Sequence, residues 1–153
     1  MGEVRPVLLG SVVNLVPRKE VTDMTFTEAI RNVYSHYATF KGRASRSEFW
    51  KFVIFVAIVT IVLYLPLIAT GGSTGDAGSG LSTLVTVSLL AGGIFTLLTL
   101  LPYLSVLVRR LHDTNRSGWW YWIALVPFVG GVILLVLLAL PTTPGDNRFG
   151  PAS

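Results

Sequence analysis

Three apolar runs, Phe52–Ile68, Leu81–Val108 and Trp119–Leu140, contain no Asp, Glu, Lys, Arg or His. Each is long enough, as a helix, to cross a hydrocarbon core of about 30 Å. Ahead of the first run, Thr25-Phe26-Thr27-Glu28 reads as a capping box, and Phe26, Ala29, Ile30, Val33 and Tyr37 recur at helical spacing. This predicts an amphipathic helix over about 26–38. With Arg31 and His36 off its apolar stripe, it is expected to lie in the membrane interface; the competing reading packs it on other protein surface. Ser45-Arg46-Ser47-Glu48 is a second capping box, so the first span is expected to start near Arg46 and reach about Ala69. Lys51, one turn in, can snorkel to the headgroups.

Gly71–Gly80 is a flexible polar turn without Lys or Arg. The second span, 81–108, would be about 42 Å long, so it must tilt, kink or emerge, with Pro102 the expected kink. Ser88, Gly92 and Thr96 fall four apart in it, a candidate close-packing face. The third, 119–140, carries Pro127 and Gly130-Gly131 near its middle. It is expected to be kinked there or broken into a re-entrant hairpin, which requires protein to bury the irregular backbone. Three complete spans put the carboxyl terminus on the far side; a hairpin returns it to the near side.

The predicted fold is an all-α integral membrane protein, with an interfacial amphipathic helix followed by three hydrophobic segments. Its organisation is an N-terminal extension, 1–23, a single membrane domain, 24–151, and a tail from 141 to 153. The extension contains Val7–Val16 but no small-residue cleavage site before Pro17-Arg18-Lys19-Glu20, so a poorly ordered segment is expected rather than a cleaved signal peptide. Its deletion is expected to leave insertion intact. Composition agrees with a membrane chain: 52% hydrophobic and 13% charged residues, with mean hydropathy +0.65. With no cysteine, disulfides, thiolate nucleophiles and cysteine metal sites are excluded.

Charge is placed unevenly. Eight of the twelve Lys/Arg precede residue 52, and three lie at 109–116. The positive-inside rule therefore expects the amino terminus and the 109–118 connection in the cytoplasm and Gly75 outside. Trp50, Trp119, Trp120 and Trp122 are expected at the headgroup level. Lys41, Arg43, Arg46, Lys51, Arg109, Arg110 and Arg116, against Glu48 and Asp113, leave a surplus of five positive charges at one interface. Anionic phospholipid headgroups are the nearest counter-ions, at about 1 kcal/mol per basic residue. Nucleic acid is not an expected partner. Glu48 and Asp113 are expected to pair with arginines across the helix ends, with Arg46, Arg109, Arg110 and Arg116 as candidates.

Candidate chemistry is thin. His112 beside Asp113 suggests a base with an orienting carboxylate, but neighbours on a helix point apart and no nucleophile accompanies them. His36 and His112 are the only histidines, and no spacing resembles a metal-ligand set. No cofactor is expected. Thr99 and Tyr103 are expected to hydrogen-bond within the bundle. The uncharged spans argue against a proton relay or an intramembrane hydrolase.

Phe40-x-Gly42-Arg43-Ala44-x-Arg46-Ser47-Glu48-Phe49-Trp50, Arg109-Arg110-Leu111-His112-Asp113, Arg116-Ser117-Gly118-Trp119-Trp120, Pro127-x-x-Gly130 and Pro144-Gly145-Asp146-Asn147-Arg148-Phe149-Gly150-Pro151 follow one another in this order. The chain from about 24 to 151 resembles, on these motifs, the bacterial inner-membrane family of unknown function typified by YhaH (domain of unknown function 805). The resemblance implies a small bacterial cytoplasmic-membrane protein and no known activity. It does not extend to residues 1–23, which raises the question of whether Met24 is the native start. The expected role is a non-enzymatic interaction, assembly or membrane-organising component acting through a basic cytoplasmic face, with a membrane-protein partner or a second copy. The alternative is an oligomeric lipid- or small-solute-handling transporter or channel.

Overall fold

A computed structural model describes residues 24–71 and 80–151. The extension, most of the glycine-rich turn and the last two residues lie outside the described residues, as do the expectations placed on 1–23. Among the described residues the chain is helical: α1 (Phe26–Ser35), α2 (Arg46–Ala69), α3 (Gly80–Asp113), a 3-10 helix (Gly118–Leu125) and α4 (Gly130–Ala139). One isolated bridge, Asn147 to Gly150, pins the tail.

α1 begins as its capping box requires: Thr25 Oγ1 accepts from the Glu28 N–H, and Glu28 reaches back to the Thr25 N–H at 2.8 Å. It ends at Ser35, three residues earlier than expected, and the chain passes into a turn in which the Thr39 N–H bonds the His36 carbonyl at 3.0 Å. Ser105 Oγ, fully buried on α3, donates to the carbonyls of His36 and Thr39 at 3.0 and 2.7 Å. Ala29 and Val33 are buried, and Tyr34 meets the Phe52 ring edge-on, so α1 packs on α2. Glu28, Arg31 and Ser35 are exposed.

α2 and α3 run antiparallel. Glu48 near the start of α2 meets Arg109 near the end of α3, and Tyr64 near the end of α2 meets Gly92. Both are long and apolar enough to cross a membrane. Ile58, Ile61, Val62 and Ile68 of α2 are each more than half exposed, as are Leu90, Ile94 and Leu97 of α3. α3 passes through Pro102 and continues to Asp113, beyond its expected end at Val108, because Arg109, Arg110 and Asp113 are buried against protein rather than solvated. Gly92 meets Tyr64 of α2 and Ser88 is buried, but Thr96 is exposed; the buried stripe runs Val85, Ser88, Gly92, Thr99, Pro102 and Val106. A spacing of four drifts off a 3.6-residue helix, so the third small residue turns outward.

The third apolar run is not one helix. The 3-10 helix ends at Leu125, and Val126–Val129 turns the chain, with Pro127 at the bend and Phe128 held at φ +66° with its side chain 99% exposed. A side chain on Gly130 would lie 1.9 Å from the Ile123 carbonyl oxygen, so only glycine lets α4 start there. α4 is about 15 Å long, half a hydrocarbon core. Both ends of the run return to the end of α3: Thr143 donates its N–H to the Asp113 carbonyl at 3.1 Å. The run is therefore broken into two short helices rather than kinked as one. The apolar core of Val33, Ala44, Phe49, Phe52, Val106, Leu107, Leu111, Leu134, Leu137 and Leu138 sits just beneath this end.

Candidate functional site: a buried charge cluster closed by the tail

Three segments meet at the polar end: the loop before α2, the last turn of α3, and the chain after α4. Gly42, at φ +88°, makes the turn that leads Arg43 inward. The neighbouring Ala44 donates its N–H to the Arg109 carbonyl at 3.1 Å, tying this loop to α3. Arg43 Nε donates to Asp113 Oδ1 at 2.9 Å, with both side chains essentially inaccessible. Its two terminal nitrogens donate to the carbonyls of Gly145 at 2.7 Å and Thr143 at 2.8 Å.

Asp113 also receives Arg110 Nη1 and the Thr142 hydroxyl, the latter at 2.7 Å. As the last residue of α3 it has a carbonyl without an intrahelical partner; Thr143 supplies one with both its N–H and its hydroxyl. Arg110 is fully buried and donates further to the carbonyls of Leu138 at 3.0 Å and Leu140. A cation at the carbonyl-rich end of α4 is favoured by that helix's dipole, which explains why the third segment returns here.

A second pair lies beside the first. Arg109 Nη2 donates to Glu48 Oε1 at 3.0 Å, both side chains about 4% exposed. Ser45 Oγ accepts from the Glu48 N–H at 3.2 Å, so the cap forms, but the Glu48 carboxylate turns to Arg109 instead of closing a capping box. Three buried guanidiniums thus face two carboxylates; backbone carbonyls at and after the end of α4 take further donors of Arg43 and Arg110, while Arg109 Nε is buried without a partner. An uncompensated buried charge costs several kcal/mol, on the order of 3–5 when one partner is removed.

The expected arginine partners divide. Arg109 pairs with Glu48 across the helix ends as expected, whereas Arg110 pairs with Asp113 within α3; Arg46 is exposed, and Arg116 Nη1 donates to the Thr114 carbonyl at 3.3 Å. Arg43 takes the remaining place on Asp113. Lys51, expected to snorkel, instead reaches the Met24 carbonyl and ties down the approach to α1. Lys41 is exposed. Asp113 does not orient His112: the imidazole stacks on Phe149 at 3.9 Å between centroids, with Nδ1 3.2 Å from the Gly42 carbonyl oxygen. Asn147 Nδ2 donates to the His112 carbonyl at 2.9 Å. Among the described residues no group of three or more His, Asp or Glu is placed to hold a metal. Trp50 packs edge-on to Phe49, and Trp119, Trp120 and Trp122 are exposed on the 3-10 helix. An open groove of about 750 Å³ lies beside the cluster, lined by Phe40, Leu104, Val108, His112, Trp119 and Trp122.

The elements that build this end are those by which the chain is related to other proteins. The family described as "Protein of unknown function (DUF805)" matches residues 37–151, from the turn after α1 to the end of the tail. The chain belongs to this family. Among its relatives are the Escherichia coli (strain K12) "Inner membrane protein YhaH", 41% identical over 119 residues, 78% of this chain and 90% of the relative, and "Inner membrane protein YhaI" of the same strain, 37% identical over 119 residues, 78% and 89%. No solved structure matches. The DUF805 match includes Thr142, Thr143, Gly145 and Asn147, the tail residues that sequence reasoning passed over as site members. One signal was present: two acids cannot satisfy seven nearby cations, so the missing acceptors had to come from irregular backbone, and Pro-Thr-Thr-Pro-Gly supplies it.

Proposed function

We propose that this chain sits in the bacterial inner membrane, with its amino terminus, charge cluster and tail in the cytoplasm. We further propose that it acts there without catalysis, as an assembly or membrane-organising component. Its basic face binds acidic phospholipid headgroups and leaves room for a partner membrane protein or a second copy. The observation that carries this is a surplus of exposed cations: Glu48 and Asp113 are buried on arginines, whereas Lys41, Arg46 and Arg148 are exposed against Asp146 as the exposed acid of the tail. The outward character of this end is therefore cationic, and the open groove beside the tryptophans offers an apolar surface where acyl chains begin. The names of the relatives support the inner membrane, and the positive-inside rule supports the orientation, since both described ends of the chain lie at the arginine-rich end.

Two experiments test this reading. Adding phosphatidylglycerol to the detergent-purified protein should raise its thermal midpoint more than phosphatidylcholine does. The difference should shrink with salt and vanish in Lys41→Ala/Arg46→Ala/Arg148→Ala, as headgroup attraction of about 1 kcal/mol per residue requires. Equal gains from the two lipids would remove the headgroup role. Reporters at Gly75 should read outside and those after Ser153 inside; a cytoplasmic Gly75 reverses the orientation.

A further inference from the structure

Away from the charged end, α2 and α3 together line an open cavity of about 300 Å³, with Val56, Thr60, Phe95, Thr96, Thr99 and Tyr103 in its wall. Its hydroxyls are not equally occupied. Thr96 donates to the Gly92 carbonyl at 2.8 Å, as a helical threonine commonly does. Thr99 is only 4% exposed, and its hydroxyl has no partner. Those of Thr60 and Tyr103 make no hydrogen bond among the described residues either. Thr60 and Thr99 could each bond back to a carbonyl four residues earlier, yet neither does. A hydroxyl without a partner is costly in an apolar setting and more so in lipid, where water is scarce.

The lining carries no charge. Along α3, Tyr103 and Thr96 lie roughly 9 to 20 Å from Arg109, too deep for phospholipid headgroups or their ester groups. The site therefore favours an occupant that is neutral and dissolved in the hydrocarbon phase, and one with acceptor oxygens can take the hydroxyl protons that have no partner. The rings of Phe95 and Tyr103 favour a flat body. The volume is at the lower end of small-molecule sites, which run to about 300–1,000 Å³.

We propose that this cavity binds a flat, neutral, carbonyl-bearing ring of the quinone class, entering sideways from the membrane. Its carbonyl oxygens accept from Thr60 and Tyr103, and from Thr99 after one rotamer step, a step helical threonine makes readily. The site lies apart from the basic face and does not depend on the lipid role given to it above.

The test uses the full chain in nanodiscs of phosphatidylethanolamine and phosphatidylglycerol, titrated with decylubiquinone. Retention above that of empty discs should saturate near one molecule per chain. Decylbenzene, which has the same tail on a ring without carbonyls, should be held at least about tenfold more weakly, as the loss of two or three hydrogen bonds predicts. Thr60→Val/Thr99→Val/Tyr103→Phe should weaken the quinone by a similar factor without lowering the thermal midpoint of the ligand-free protein, because it removes hydroxyls that have no partner. Should that variant fail to fold, Thr60→Leu, which fills the cavity and removes one donor, should abolish saturation. Retention no greater than in empty discs, as expected of a cavity holding only water, overturns the proposal. So does equal retention of decylbenzene, or binding undiminished in the variants.

Discussion

The two halves of the α2–α3 pair are held together by different physics. At the charged end, an apolar core of ten buried residues lies beneath two ion-pair systems whose members are almost wholly inaccessible. At the far end, Val85, Ser88 and Gly92 are buried on α3 while α2 buries nothing beyond Phe52 among the described residues; the helices meet where the Tyr64 ring lies across Gly92. In a membrane the far half gains little from hiding apolar side chains, since lipid is as apolar as leucine, and close packing has to hold it. The near half is specific because each buried charge has few acceptable partners. It is also unforgiving, because losing one partner strands another.

That contrast can be broken from the charged end first. A stop codon after Leu140 removes the carbonyl acceptors of Arg43 together with Thr142 and Thr143 from Asp113. It should prevent recovery of a folded monomer from detergent, read as loss of the monodisperse peak in size exclusion. Next, Asp113→Ala leaves two guanidiniums without their carboxylate and should destabilise by about 3–5 kcal/mol. Asp146→Ala, at an exposed acid, should cost no more than about 0–1 kcal/mol. Thermal midpoints in one detergent compare them, and equal midpoints would reduce the cluster to a solvated anchor.

The far half should respond differently. A β-carbon on Gly92 would lie 2.5 Å from the Tyr64 ring, so Gly92→Leu should cost about 1–3 kcal/mol by forcing the helices apart. Tyr64→Ala should restore part of that loss, whereas no second-site change at Tyr64 should rescue Asp113→Ala. A rescue there would show that the halves are not independent. The smallest stability effect is expected from Lys41→Ala/Arg46→Ala, within about 1 kcal/mol in neutral detergent, because both side chains are exposed.

Much of the helix content was legible because it follows from local rules. The cap at Ser45 and the uncharged run after it place α2 at Arg46–Ala69, as expected. The cap at Thr25 starts α1, but the turn after its end is held by Ser105, about seventy residues on, a contact no local rule contains. The break at Pro127 and Gly130 was visible as an alternative; what selects it is Arg110 on the carbonyls after α4, a long-range contact. The charged site was legible as a cluster but not as a set of pairs. From the sequence Arg46 is a candidate partner for Asp113 and Arg43 is not, yet Arg43 makes the pair. Arg43 wins because Gly42 turns it inward, while the cap at Ser45 leaves Arg46 as the first, outward residue of a helix. Thr99 and Tyr103 look like ordinary hydrogen-bonding residues of a bundle, and only the packing reveals that neither finds a partner.

The closure of the cluster by residues about a hundred positions beyond Arg43 also sets an order of events during synthesis. When α2 and α3 have been made, Asp113 is present but the carbonyl acceptors for Arg43 and Arg110, at Leu138, Leu140, Thr143 and Gly145, are still to come, so the pair of helices waits with a charged, incompletely closed end. Only when residues 138–145 have emerged can that end dry and lock. A nascent chain cut short at any earlier point displays exposed guanidiniums at the membrane surface, a mark by which proteases could tell unfinished copies from finished ones.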